Sequence, residues 1–333
     1  MKVGVLQFFS WPDRETPLEE VYRRAERRVA AMDDGRYDAI WLAEHHFTGY
    51  SVCPSVHVMA AHLAARTQRL RIGTAVTLAA LYQPLRIAEE IALLDVLSDG
   101  RVNFGAGPGF EQREFDAFGV TRDEAKPRFR EAVALVQKAW TEERLDFAGD
   151  FFTADDVEVL PKPTQRPHPP TWVAATSEGS VRWAASQGYQ ILMDPHSPHA
   201  EIARKRSIYF DALAEAGHST AERVLPVARL VAVAPTDRRA REIAERAARW
   251  TAKSYIGQKT SFFRPGEAMD TVEHYLADTM IYGSPERVAA QLLELETTVP
   301  LDYLLLSPLS EETFRLFDEC VMPLLQPALA TSP

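Results

Sequence analysis

The segment Ala43-Glu44-His45-His46-Phe47 places a carboxylate and two imidazoles at three consecutive positions. Imidazoles change charge near neutral pH, and a neighbouring carboxylate can orient them or share a proton, so acid–base chemistry is the first reading of this segment. It follows an apolar run, Asp38–Ala43, that predicts a strand. Side chains alternate along extended backbone, which sends Glu44 and His46 to one side and His45 to the other. The three therefore do not converge on one metal ion, and no other His, Asp or Glu cluster has ligand spacing. Buried, hydrogen-bonded histidines with a packing role would read the same way.

Other predicted strand ends carry less reactive residues. Gly73-Thr74-Ala75-Val76-Thr77 is small or β-branched and has no titratable group; it suits a flat ring lying on the backbone, and equally an ordinary strand. Phe104-Gly105-Ala106-Gly107-Pro108-Gly109-Phe110 can bring backbone close to a ligand or make a tight turn. Ala174-Ala175-Thr176-Ser177-Glu178-Gly179-Ser180 runs straight into a predicted helix. Its N–H groups and hydroxyls can hold a phosphate or simply cap the helix. Asp194-Pro195-His196 can line a cavity or form a turn, and Phe8, Phe9 and Trp11 can wall a pocket or staple the first loop.

The elements that must position these residues repeat as strand, loop and amphipathic helix. Strands are predicted at 2–8, 38–43, 70–76, 101–106, 171–175, 189–193, 224–233 and 301–306, with helices at 17–32, 54–66, 84–97, 111–118, 127–142, 180–187, 199–216, 238–253, 285–296 and 311–325. Residues 145–152 resemble a small hairpin, and 160–170, with five prolines, a surface connection. Eight apolar strands, each followed by a helix, predict a closed (β/α)8 TIM barrel with insertions, forming a single domain over 1–333. An open doubly wound sheet is disfavoured because no GxGxxG turn follows the first strand. Residues 254–284 read as an irregular insertion near the barrel mouth.

Composition narrows the function classes. A formal charge of −10 argues against a nucleic-acid surface. No apolar run approaches the roughly 20 residues that span a bilayer. Cys53 and Cys320 lack metal spacing and read as reduced thiols, and MKVGVLQFF reads as a buried first strand rather than a signal peptide. A cytoplasmic enzyme is the expectation.

Taken together these segments resemble the bacterial luciferase-like flavin-dependent monooxygenase family, of the alkanal monooxygenase kind. The resemblance rests on IWLAEHHFTGY (40–50), RIGTAV (71–76), LLDVLSDGRVNFGAG (93–107), YGSPERV (282–288) and VMPLL (321–325), which occur in that order along the chain. It implies a (β/α)8 barrel, usually dimeric, that takes reduced FMN (FMNH2) from a separate NAD(P)H:flavin reductase. It implies that O2 is activated as a flavin C4a-peroxide and that one oxygen atom passes to a small organic substrate. His45 then matches the histidine that acts near the flavin, with Glu44 and His46 supporting it. Thr74, Ala75 and Val76 fall under the ring, with a non-prolyl cis peptide at Ala75-Val76, and Gly107 falls nearby. Ala175, Thr176, Ser177 and Ser180 fall where the FMN phosphate is held, and Arg128 falls on an arginine able to pair with it.

Two departures stand out. The luciferase subunit has a cysteine followed by an arginine where this chain has Gly107-Pro108, and the segment 175–182 is one residue longer. Both argue against light emission and for oxygenation of another compound. The alternatives are a deazaflavin-dependent oxidoreductase that transfers hydride without O2, or a non-catalytic flavin-binding partner subunit. Substrate selectivity would lie near Phe9, Trp11, Phe47, Tyr82, Phe110, His196 and the 254–284 segment.

Overall fold

A computed structural model describes residues 1–221, 223–254 and 271–329. In chain order the elements begin with β1 (Lys2–Gln7), α1 (Leu18–Met32), β2 (Ala39–Leu42), α2 (Val56–Ala64), β3 (Arg71–Thr74), β4 (Thr77–Leu78), α3 (Pro84–Leu97) and β5 (Val102–Gly107). Next come α4 (Gln112–Phe118), α5 (Arg122–Thr141), β6 (Leu145–Ala148), β7 (Thr153–Val157), β8 (Thr171–Ala174), α6 (Glu178–Ser186) and β9 (Gln190–Leu192). The chain continues through α7 (His199–Glu215), β10 (Pro226–Val233), α8 (Asp237–Ser254), α9 (Thr271–His274), β11 (Ile281–Gly283), α10 (Pro285–Thr298), β12 (Tyr303–Pro308), α11 (Glu311–Leu316) and α12 (Met322–Leu329). No helix among the described residues is long and apolar enough to cross a membrane.

Contacts gather the chain into two compact units. One comprises Phe8–Ser10 and Ala25–Ala174; the other comprises Met1–Gln7, Trp11–Arg24 and the chain from Ala175 onward. In the 25–174 unit β2, β3, β5 and β8 pair in parallel, with Leu42 beside Thr74, Ile72 beside Val102 and Phe104 beside Thr171. Every residue of β2 and β5 is buried, as expected of parallel strands covered by helices. Trp140 of α5 donates its indole N–H to the Ala88 carbonyl of α3 at 2.9 Å and meets Phe104 of β5 edge-on. Gly73 is required by close approach, because a Cβ there would come within 2.5 Å of the Trp41 ring.

In the other unit β10 pairs in parallel with both β11 and β12, and β12 pairs in parallel with β1. All eight residues of β10 are buried.

Several boundaries differ from the sequence expectation. The third strand does not run through to Val76: it stops at Thr74, the Ala75–Val76 peptide is cis, and Thr77–Leu78 pairs separately with Ala106 and Gly107. Helix α5 starts at Arg122 instead of Pro127, because Thr121 and Glu124 form a reciprocal capping box. The hairpin extends beyond Phe152, with Leu145–Ala148 antiparallel to Thr153–Val157. Of the 254–284 segment, residues 255–270 lie outside the described residues, and the remainder is regular where an irregular insertion was expected. Thr271–His274 is helical, and Ile281–Gly283 forms a ninth parallel strand too short to show a period.

Candidate functional site

Beyond β2 the chain stays buried through Ala43, Glu44, His45 and His46, then turns out at Phe47, which is 60% exposed with φ of 57°. Backbone bonds hold this stretch. The His45 N–H donates to the Cys53 carbonyl at 3.2 Å, and the Ser51 hydroxyl donates to the Ala43 carbonyl at 3.3 Å. Helix α4 clamps it from another side, where Arg113 donates to the Phe47 carbonyl at 2.8 Å and Glu114 Oε1 accepts the His46 N–H at 2.9 Å.

The two histidines have separate carboxylates. Glu44 Oε1 lies 2.9 Å from His46 Nε2 and accepts the Tyr82 hydroxyl at 2.9 Å, while Oε2 accepts the Leu78 N–H at 3.3 Å. Glu44 is thus committed to partners on both oxygens. Burial, and then the Glu44 charge, push the Tyr82 phenol well above its ordinary value and the Cys53 thiol up to about 12. His45 faces Glu114 instead: Nδ1 is 3.4 Å from Oε1, close enough for charge attraction but without hydrogen-bond alignment. His45 Nδ1 and Glu114 Oε2 are both buried without a hydrogen-bond partner. Tyr50 and Phe110 meet the His45 ring edge-on, with centroids at 5.1 and 5.7 Å.

A further chain of polar groups stands alongside. His57 Nδ1 lies 2.8 Å from Glu90 Oε2, and Nε2 lies 3.0 Å from the Thr77 hydroxyl. The hydrogen bond with His57 holds the Glu90 carboxyl below the usual range. Glu114, His57 and Glu90 were missed in the sequence. Each sits on a helix amid other charged or apolar residues, with nothing local to single it out. Tyr82, expected near the residues that select substrate, is tied to Glu44 through its hydroxyl.

The predicted ring-binding residues lie in the same unit. The Thr74 hydroxyl donates to the Gly105 carbonyl at 2.7 Å and accepts the Gly105 N–H at 2.9 Å, stitching β3 to β5. The Ala75 N–H donates to the Leu42 carbonyl at 2.7 Å, and Ala75 and Val76 are partly exposed. Gly107 has a packing reason of its own, since a Cβ there would sit 2.6 Å from Val76 Cγ2. Arg128 donates from Nε to the Ala80 carbonyl at 2.9 Å and lies 4.7 Å over the Phe152 ring. Phe9 is fully buried, so it belongs to the core and not to an open pocket wall.

The predicted phosphate residues lie in the other unit. Ala175 is buried with its N–H 3.5 Å from the Leu192 carbonyl, and Thr176 is exposed. Ser177 and Ser180 form a reciprocal capping box on α6, with their hydroxyls 3.0 Å apart. Glu178 in the first turn pairs with Arg182 at 3.1 Å and Arg204 at 3.0 Å, which hold its carboxyl below the usual range. The capping role is therefore realised in full at these two serines. Trp11 donates to the Thr16 carbonyl at 2.7 Å, and His196 Nδ1 lies 3.2 Å from the Tyr275 hydroxyl.

With this geometry in view, the family model described as luciferase-like monooxygenase matches residues 1–301. The chain is 28% identical over 205 residues to the oxygenase component of flavin-dependent trigonelline monooxygenase from Acinetobacter baylyi, covering 61% of this chain and 56% of that one. It spans about half the length of the curated relatives it matches. The structure of monooxygenase RslO1 from Streptomyces bottropensis superposes with a TM-score of 0.85 at 27% identity, over 97% of this chain and 99% of that one. An F420-dependent secondary alcohol dehydrogenase, at 16% identity and a TM-score of 0.76 over 97% and 98%, shares the fold. The fold is a TIM-barrel-like α/β arrangement, as the strand–helix rhythm predicted, and it is luciferase-like, as the resemblance implied.

Proposed function

Because the chain belongs to the luciferase-like monooxygenase family, we propose that it is an FMNH2-dependent oxygenase that transfers one atom of O2 to a small organic substrate. Its reduced flavin would come from a separate NAD(P)H:flavin reductase, and homodimerisation rests on the family resemblance alone. The observation that carries the reading is the buried His45–Glu114 pair, in which Nδ1 and Oε2 have no hydrogen-bond partner. It stands beside the partly exposed, apolar Ala75-Val76 step, which the Leu42 carbonyl anchors on one side and the Leu78–Glu44 bond on the other.

Residues on this step fit a flat aromatic ring: Thr74 turns its hydroxyl into the sheet, leaving only backbone and small apolar groups at Ala75 and Val76. Thr74, Ala75, Val76 and Gly107 would back the ring. Ala175, Thr176, Ser177 and Ser180 would hold the phosphate, the two serines by giving up their capping bonds to one another, with Arg128 as the cation that the family resemblance assigns to it. The bound flavin would supply the electrons that activate O2. With Nδ1 held toward Glu114, His45 has Nε2 left to give or take a proton. Glu114, whose carboxylate faces Nδ1, acts as a positioning residue. Glu44 fixes His46 and Tyr82 beside them, and the edge-on rings of Tyr50 and Phe110 keep water from the imidazole.

The test is O2 uptake by the purified chain with FMN, a flavin reductase and NAD(P)H against candidate carbonyl compounds, with products identified by mass spectrometry. Substrate-dependent uptake with a product heavier by one oxygen is expected. Turnover with a reduced deazaflavin and no O2 uptake with FMNH2 would overturn it.

A further inference from the structure

In the unit that carries β10, a cluster of charged residues is buried without any role in the reading above. Arg229, the fourth residue of β10, has no exposed surface. Its Nη1 donates to the Ser197 carbonyl at 2.9 Å, but Nε and Nη2 have no hydrogen-bond partner. These two nitrogens share one edge of the planar guanidinium, so what stays open is a two-pronged fork. His199 Nε2 and Thr279 Oγ1 are also buried and unpartnered. The His199 ring lies against the Thr279 backbone and within the field of Arg229.

The rest of the neighbourhood is satisfied. Asp194 accepts the N–H groups of His196 at 3.0 Å and Ser197 at 2.8 Å, and the Ser197 hydroxyl at 2.8 Å. Lys205, itself buried, donates to Ser197 Oγ at 2.8 Å and lies 3.5 Å from Asp194. Asp278 is half exposed and paired with His274 at 3.6 Å. Two buried cations, Arg229 and Lys205, thus face one buried carboxylate, Asp194, leaving an excess of one positive charge. Burial brings Arg229 down to about 10, so it remains cationic at neutral pH.

We propose that Arg229 and Thr279, beside the His199 ring, form a buried site for the carboxylate group of a small organic acid. Nε and Nη2 present two parallel donors that match the two oxygens of a carboxylate. The Thr279 hydroxyl adds a donor for a remaining lone pair, and the His199 ring walls the site with its own N–H turned to the Thr279 backbone. Buried polar groups are otherwise paired almost without exception, so the open guanidinium edge of Arg229 and the unpartnered Thr279 hydroxyl point to a missing acceptor. One surplus charge favours a monoanion over a phosphate dianion. The assignment stands apart from the flavin reading, and binding alone tests it.

The full chain is titrated with acetate and with benzoate at constant ionic strength, using benzamide and inorganic phosphate as controls, and followed by calorimetry and by Tm. Saturable binding of a carboxylate that raises Tm is expected, with neither control matching it. Arg229→Lys keeps the charge and removes the fork, and should weaken binding by about ten- to hundredfold. Thr279→Val is nearly isosteric and keeps the assay informative if the arginine variant fails to fold; it should weaken binding by about two- to tenfold. Failure of both carboxylates to bind, equal binding of phosphate or benzamide, or unchanged affinity in Thr279→Val would overturn the assignment.

Discussion

The two ends of the parallel strands in the 25–174 unit are built from similar residues and differ in how completely those residues are paired. At the starting end of β5, the run Asp95–Arg101 is saturated. Asp95 is fully buried and accepts the Gln165 N–H at 2.9 Å and its side-chain amide at 2.7 Å. Arg101 donates to the carbonyls of Ser98, Leu70 and Ala64 and to the Thr67 hydroxyl. Asp99 and Gly100 make the turn, with φ of 53° and 76°. At the finishing end of β2, Glu44 is equally saturated, yet His45 Nδ1 and Glu114 Oε2 are buried without hydrogen bonds. A saturated buried network rigidifies the fold, whereas an incomplete one retains capacity for another molecule. The most recognisable motif in the chain therefore does structural work, and the less regular histidine end is the one to which the proposed function assigns the chemistry.

Four measurements would break or sharpen that contrast. The largest effect is expected at His45→Ala, which should lower product formation by about 10²–10⁴-fold while flavin binding, followed by fluorescence quenching, stays near the parent value. Unchanged turnover would remove His45 from the reaction. Asp95→Ala should do the reverse, costing about 3 kcal/mol of stability by stranding the Gln165 donors, with normal activity per folded molecule. Thermal or urea unfolding checks it, and a stability loss under about 0.5 kcal/mol would contradict the saturated-end reading. Glu114→Gln should lower turnover by about ten- to hundredfold and shift the pH profile of kcat, with Tm nearly unchanged because the replaced carboxylate was poorly paired. A large drop in Tm without a change in the pH profile would make Glu114 structural.

The smallest effect lies outside both ends. His199 is pushed down to about 4 by burial, then by Arg229, against its ordinary 6.5. Between those values the unfolded chain binds the proton more readily than the folded one. Stability should therefore fall as pH drops from about 6.5 toward 4. His199→Gln should flatten that part of the Tm–pH curve, and an unaltered slope would refute the assignment.

Much of the fold was legible because its signals are local. The apolar strand runs, Pro84 opening α3 and the alternation of strand with helix are visible within short windows. The capping box Thr121-Arg122-Asp123-Glu124 went unread, and the predicted start of α5 fell too far along, at Pro127. The break at Ala75-Val76 followed from family resemblance and not from propensity. Three-residue β11 shows no period that any window could detect.

The candidate site divides in the same way. Glu44, His45 and His46 are adjacent in sequence, and alternation along the extended backbone sorts Glu44 with His46 without any structure. That His45 faces Glu114 depends on α4 returning to β2, where Glu114 meets the His46 N–H across a separation of 68 residues, and that Arg229 keeps an open fork depends on every neighbour that surrounds β10. Local stereochemistry sets which side chains share a face of one element. Pairing between elements, and the desolvation that makes an unmet hydrogen bond costly, exist only after the chain has packed.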